Sequence, residues 1–318
     1  MGGASPRDGT PVYGVCLGEG RTHSDWGTGI GLVPKSRHAI FLAVWWSCNL
    51  LLAAALMALI YSGVREFSAR RYLDGYSDAI VPNFVPPEER VQAILDWMRA
   101  EPSRGVAADP ATLATRDPQT TLNYAQLLKV CGTATNAFLN LARASDLHVR
   151  RLLLLSNDGM AKHVVAEVLI NQRWIVVDPS YRVIMKDANG HFLTRKELQD
   201  PATFQQAVSG VSGYPPGYDY QSVAHVRLSR LPFKGLHLQK VLDFVYPGWE
   251  EGADWSLFLE RESFFYLVLA GAASLLFLLL RQLFGWYADS RLRIPRFHFR
   301  EHMIRAGSAF FSTAEIKE

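Results

Sequence analysis

The apolar positions fall into two long uninterrupted runs with shorter periodic ones between them. Residues 39–61, AIFLAVWWSCNLLLAAALMALIY, are 23 positions without one charge. About 20 apolar residues cross a bilayer core, so this run predicts a transmembrane helix. Trp45, Trp46 and Tyr61 serve as its interfacial anchors. A second run, 263–280, is interrupted by Arg281 and resumes with Leu283, Phe284, Trp286 and Tyr287. Arg281 can snorkel to the surface while the rings sit at the headgroups, which gives a second span over 263–284. Ala270, Gly271 and Ser274 are small enough to let the two spans pack closely.

Between the spans the periodicity is that of an α+β domain. Pro86-Pro87-Glu88-Glu89 opens a helix, because proline suits the first turn and acids suit its positive end. Val91, Ile94, Leu95 and Met98 carry that helix to about Ala100. Residues 103–120 read as a loop. A second helix covers about 131–144, with Ala134, Phe138 and Leu141 on one stripe. Three β-prone runs follow, at 149–155, 163–170 and 174–177. Asn171-Gln172 is a two-residue turn between the last two. Residues 183–185 and 191–193 flank Asn189-Gly190, a second hairpin signal. Residues 194–208 read as helix with Pro201 as a break, and residues beyond 208 read mostly as loops.

The resulting organisation is a disordered tail (1–38), a span (39–61), a domain (66–208), a loop-rich extension (209–260), a span (263–284) and a basic tail (285–318). Lys and Arg near the ends of the spans set the orientation. After the second span come Arg281, Arg291, Arg293, Arg296, Arg300 and Arg305. Residues 246–262 hold one arginine, Arg261, against Glu250, Glu251, Asp254, Glu260 and Glu262. This contrast places both termini in the cytoplasm and the central domain outside it. The expectation is a two-pass protein of a bacterial inner membrane, its domain periplasmic in a Gram-negative cell.

Composition changes this picture in two ways. A chain that is 49% hydrophobic and 20% charged is not disordered as a whole, and a net +3 is too weak a charge to imply a nucleic-acid partner. The mean hydropathy of +0.02 is an average over two membrane spans and an ordinary domain. Three cysteines exclude a disulfide scaffold and a four-cysteine zinc site. They also sort by compartment: Cys16 in the inner tail, Cys48 in the first span and Cys131 alone in the external domain.

Cys131 sits where a helix starts, and N–H groups there favour a thiolate. A nucleophilic cysteine needs a base, and the base needs an orienting acceptor. His163 opens one strand of the expected hairpin and Asp178 ends the other. With Asn171-Gln172 as the turn, His163 is opposite Ser180, and Asp178, two residues away, shares the face of His163. Diagonal neighbours of this kind lie about 7–8 Å apart, within side-chain reach. The backbone N–H of Cys131 is one oxyanion donor and Gln126 a candidate second. His148, His191, His225 and His237 have no metal-ligand spacing. Glu167 reads as a solvent-side or structural residue and Trp174 as core.

His163-Val-Val-Ala-Glu167-Val168, then Trp174, then Asp178-Pro179 resembles the transglutaminase-like superfamily of papain-fold enzymes, whose pattern is H-x-W-x-E-V followed by W-x-x-x-D-P. Cys131, with Ala137-Phe138-Leu139-Asn140-Leu141 and then Asp146-Leu147-His148-Val149-Arg150, is similar to that family's cysteine helix and following strand. The resemblance covers about 85–185. Val130 stands where the family often has Gly, and Val165 where it has Trp. The resemblance implies a cysteine-bearing helix packed on an antiparallel sheet. It also implies Cys131 as nucleophile, His163 as general base and acid, and Asp178 as the residue that orients it. The implied activity is acyl transfer on an amide or peptide bond of a protein or peptide substrate, through a thioester and without a cofactor or metal. Hydrolysis is favoured over cross-linking. The alternatives are a non-catalytic scaffold for an envelope assembly or secretion system, and a maturation factor for one envelope partner.

Overall fold

A computed structural model describes residues 35–100, 102–226, 238–249 and 257–292, together with 303, 304 and 308. Residues 1–34 of the expected tail, Cys16, His237 and most of the basic tail lie outside the described residues, while residues 35–38, expected as disordered tail, are helical. The described residues within 47–283 form one compact unit; the described residues up to 46 and from 284 form another, in which Phe41, Trp45 and Ala288 pack.

The first expected span is the beginning of a longer helix. α1 runs Lys35–Ile80, 46 residues, more than twice the ~20 needed for a bilayer core. Its last turns are built into the domain: Leu73 is buried, and Tyr72, Tyr76 and Ile80 pack on the same core. The second long helix, here α8, spans Glu262–Tyr287. Both are long and apolar enough to cross a membrane. Ala270 and Ser274 are buried, and a Cβ on Gly271 would meet Leu59 at 3.8 Å, so the small residues do face α1. Buried Glu66 of α1 accepts hydrogen bonds from Arg70 (2.8 Å) and Ser263 (2.8 Å) and pairs with Arg261 (3.2 Å).

The domain proper follows α1. α2 (Pro87–Ala100) buries Val91, Ile94, Leu95 and Met98, the stripe that its spacing predicts. Residues 103–120 are not a continuous loop: α3 (Pro110–Ala114) and α4 (Pro118–Asn123) each start on a proline preceded by aspartate. The Asp109 side chain caps α3, while proline fills a position whose N–H would go unbonded. α5 (Cys131–Ala144) is buried at every position from 134 to 142, which makes it the central helix.

The sheet has five antiparallel strands in the order β4-β3-β2-β1-β5: β1 Val149–Leu155, β2 Ala161–Ile170, β3 Arg173–Asp178, β4 Val183–Ile184 and β5 Val223–Ala224. Asn171 and Gln172 take φ of 50° and 64°, the left-handed pair a two-residue hairpin turn requires. Ile170 pairs with Arg173 and Ala166 with Val177, the expected register. Strand alternation then sends side chains to two cores. Ala166, Val168, Ile175 and Val177 pack with α2 and α5, while Leu152, Leu154, Val165 and Val176 pack with Leu198, Phe204 and Tyr220 on the other face.

Three further expectations need correction. Residues 191–193 do not form a strand; single bridges join Lys186 to Phe192 and Ile175 to Thr194. Residues 194–208 are helical only in two pieces: a 3-10 turn (Glu197–Gln199) stops before Asp200, and the expected break at Pro201 is where α6 (Pro201–Val208) starts, capped by Asp200 on the Thr203 N–H. The region after 208 is not a separate extension, since β5 pairs with β1 through Leu153 and Leu154 and continues the sheet. Helix α7 (Leu238–Val245) follows.

Candidate active site

Cys131 is the first residue of α5, half-buried. The residue before it, Val130, has no side chain that can cap, so the first N–H groups of the helix stay free for another acceptor. The backbone N–H groups of Gly132 and Val164 lie near the thiol and favour its thiolate. The pKa of the thiol is lowered chiefly by its interaction with the His163 ring, against the opposing effect of burial. Thr135 donates to the Val164 carbonyl at 2.9 Å, which fixes this helix end beside the strand next to His163.

His163 lies past the end of the β2–β3 ladder. The last ladder pair is Ala166–Val177, so the expected pairing of His163 with Ser180 does not form. Asp178 instead pairs with Val183 and turns the chain: its Oδ1 accepts from the N–H groups of Ser180 (3.0 Å) and Tyr181 (3.3 Å). Histidine and aspartate still meet, closer than a ladder diagonal would bring them. His163 Nε2 is 2.7 Å from Asp178 Oδ2, with both side chains essentially inaccessible. Parity explains the shared face: His163 alternates with Val165, and Asp178 with Val176, and both valines belong to the second core.

The electrostatics follow from these contacts. Burial alone would lower the pKa of the imidazole. The hydrogen bond to Asp178, then the interaction with Cys131, outweigh it and push the imidazole up to about 9. An ionised Asp178 can only accept, so Nε2 carries the proton in the neutral ring and Nδ1 is the basic nitrogen. Nδ1 is buried without a well-formed hydrogen bond, although the thiol interacts with the ring. Resting active sites often hold such contacts loosely. The structure thus brings together all three residues singled out from the sequence.

It also adds residues that the periodicity could not reveal. Tyr214 donates its hydroxyl to Asp178 Oδ2 at 3.0 Å. Tyr218 stacks on the His163 ring, centroids 4.2 Å apart and planes within 8°. Tyr181 meets the same ring edge-on at 6.1 Å. Tyr214 and Tyr218 belong to Gly-Tyr-Pro-Pro-Gly-Tyr, which reads in sequence only as turn chemistry.

The other candidates have structural duties. Gln126 donates its amide to the Ala107 carbonyl. Glu167 is not on the solvent side: it is fully buried and ion-paired with Arg150 at 2.7 Å. Trp174 is only partly buried and carries the Arg150 guanidinium on its face at 4.0 Å. His225 donates its Nδ1–H to the Arg151 carbonyl at 2.8 Å, and His148 and His191 are exposed. Among the described residues no three His, Cys, Asp or Glu side chains are grouped as metal ligands. A cavity of about 700 Å³ lies elsewhere, between α1, the start of α4 and α8, and none of Cys131, His163 and Asp178 lines it.

Residues 74–179 match the family model for the transglutaminase-like superfamily. The match begins in the last turns of α1 and ends one residue after Asp178. No curated protein and no solved structure matches the chain.

Proposed function

We propose that this chain, which carries a transglutaminase-like domain over residues 74–179, is a membrane-anchored extracytoplasmic cysteine enzyme acting on an amide or peptide bond. One observation carries the reading: a half-buried thiol at an uncapped helix start interacts with an imidazole whose other nitrogen is held 2.7 Å from a buried carboxylate. In this mechanism the Cys131 thiolate attacks the substrate carbonyl carbon, and a helix-start N–H faces the developing oxyanion. The His163 imidazolium gives its Nδ1 proton to the leaving amine as the C–N bond breaks, leaving a thioester. Neutral His163 then takes a proton from water, hydroxide adds to the thioester, and the acid and the thiol are released. An amine in place of water would give a cross-link. Water is the favoured acceptor, and Asp178 keeps Nδ1 as the working nitrogen throughout.

The two long apolar helices support the membrane anchor, and the arginine-rich side of the second supports cytoplasmic termini. The chemistry is tested by iodoacetamide labelling of the full chain in detergent, followed by mass spectrometry of the Cys131 peptide against pH. The expected midpoint lies below the ordinary thiol value of about 8.5. A midpoint at or above that value would falsify the reactive-thiol reading. Orientation is tested separately: a reporter fused after Lys317 should report cytoplasm, and activity outside the cell would invert the topology.

A further inference from the structure

The family match stops at residue 179, yet the buried carboxylate of Asp178 is not complete there. Oδ1 takes two backbone N–H groups from Ser180 and Tyr181. Oδ2 takes His163 Nε2 and one further donor, the Tyr214 hydroxyl, 36 residues downstream. The two backbone donors hold Oδ1, whereas Oδ2 without the hydroxyl would have only the histidine it is meant to orient; Tyr214 gives that oxygen a donor independent of the imidazole. We infer that Tyr214 is a positioning residue, supplied from outside the family core, that fixes the Asp178 carboxylate and thereby the His163 ring. The inference rests on the cysteine-enzyme reading above and adds a residue to that site.

Several observations show that this hydroxyl is placed rather than incidental. Its loop is anchored at both ends: Phe204 packs on Tyr214 with ring centroids 6.0 Å apart, and β5 pairs with β1 just beyond Tyr220. Tyr220 is fully buried in the second core. Lys162, next to His163, reaches back to the Gly217 carbonyl and to Asp219, both at 3.4 Å. Gly213 bends the chain into the loop at φ +71°, a conformation few other residues tolerate. Burial keeps the Tyr214 phenol protonated well above its ordinary range, so it is a donor at every working pH. Tyr218, from the same loop, lies flat on the imidazole and shields one face of it.

The test uses the full-length chain in detergent and follows iodoacetamide alkylation of Cys131 against pH. Tyr214→Phe keeps the ring packing and removes one hydroxyl. It should move the midpoint upward by about one unit, a roughly tenfold slower reaction on the rising limb. Asp178→Asn should move it at least as far, and adding Tyr214→Phe to Asp178→Asn should give no further shift. An unchanged midpoint in Tyr214→Phe overturns the positioning role. An equal shift in the Asp178→Asn background overturns it too, because the hydroxyl would then act by another route. An ordinary midpoint in the unmodified chain overturns the cysteine-enzyme reading itself, which is a separate result from either.

Discussion

The β2–β3 hairpin and the tyrosine loop of residues 213–220 build one site by different means. The hairpin places His163 and Asp178 through burial on both faces of a sheet, with Val165, Val176, Val177 and Val168 all inaccessible. The loop places Tyr214 and Tyr218 through a few polar contacts and stacked rings, with Gly217 and Pro216 exposed. Apolar burial at about 25 cal/mol per Å² makes the hairpin part of the fold itself. Individual hydrogen bonds of about 1 kcal/mol make the loop an adjustment to an existing scaffold. The difference predicts that mutations should separate the scaffold from the fine placement of the proposed catalytic groups.

The sharpest separation is at Cys131. Cys131→Ala removes the proposed nucleophile but neither core, so the proposed amide hydrolysis and alkylation at this site should vanish while thermal unfolding stays cooperative. Full biological activity in Cys131→Ala would end the enzyme reading. The opposite break is Phe138→Ala in the middle of α5. Phe138 is fully buried against the hairpin's inner face, and such a truncation costs about 3–5 kcal/mol. Denaturant titration should show that loss. A change below about 1 kcal/mol would mean that α5 is not the packing centre.

Those two breaks also separate what could be read from the sequence from what could not. Period-2 and period-3.6 patterns are signatures of burial, so they report whatever the core holds: α2's stripe, α5 from 131 to 144 and the hairpin's register all follow from them. His163 and Asp178 were legible through strand parity, which puts both on one face even though the expected His163–Ser180 pair does not form. Tyr214 was not, since a phenol 36 residues away from its carboxylate leaves no periodic trace. α3, α4 and α6 were missed or misplaced for another reason. Each begins with Asp-Pro, a capping signal that reads as a loop or a break when proline is weighed before its position.

A pH series tests whether the thiol and imidazole act as a pair. His163 binds its proton more tightly folded than unfolded. Its contribution to stability is therefore full below about pH 6.5 and is lost as pH rises through about 9. Cys131 has the opposite sign: its thiolate is favoured in the fold, so its contribution is present above the ordinary thiol pKa and is lost as pH falls through the depressed one. Above the depressed thiol pKa and below about 8.5 the two slopes oppose each other, so the unmodified chain should show a flatter profile of unfolding free energy than His163 alone would give. In Cys131→Ala the cysteine slope is gone while Asp178 still holds His163, so stability should fall as pH rises across the same range. Parallel profiles for the two chains would show that no ion pair forms.

The smallest expected effect lies at the rim of the loop. Lys162 and Asp219 are 3.4 Å apart with side chains 29% and 41% exposed, and pairs this exposed contribute about 0–1 kcal/mol. Lys162→Ala should therefore change unfolding free energy by less than about 1 kcal/mol, and less still at high salt. Tyr220 in the core and β5 on the sheet would hold the loop without it, so the alkylation midpoint of Cys131 should stay where it is. If Lys162→Ala instead moves that midpoint as far as Tyr214→Phe does, the loop is held on the site by surface charge. The placement of Tyr214 would then depend on ionic strength rather than on the fold.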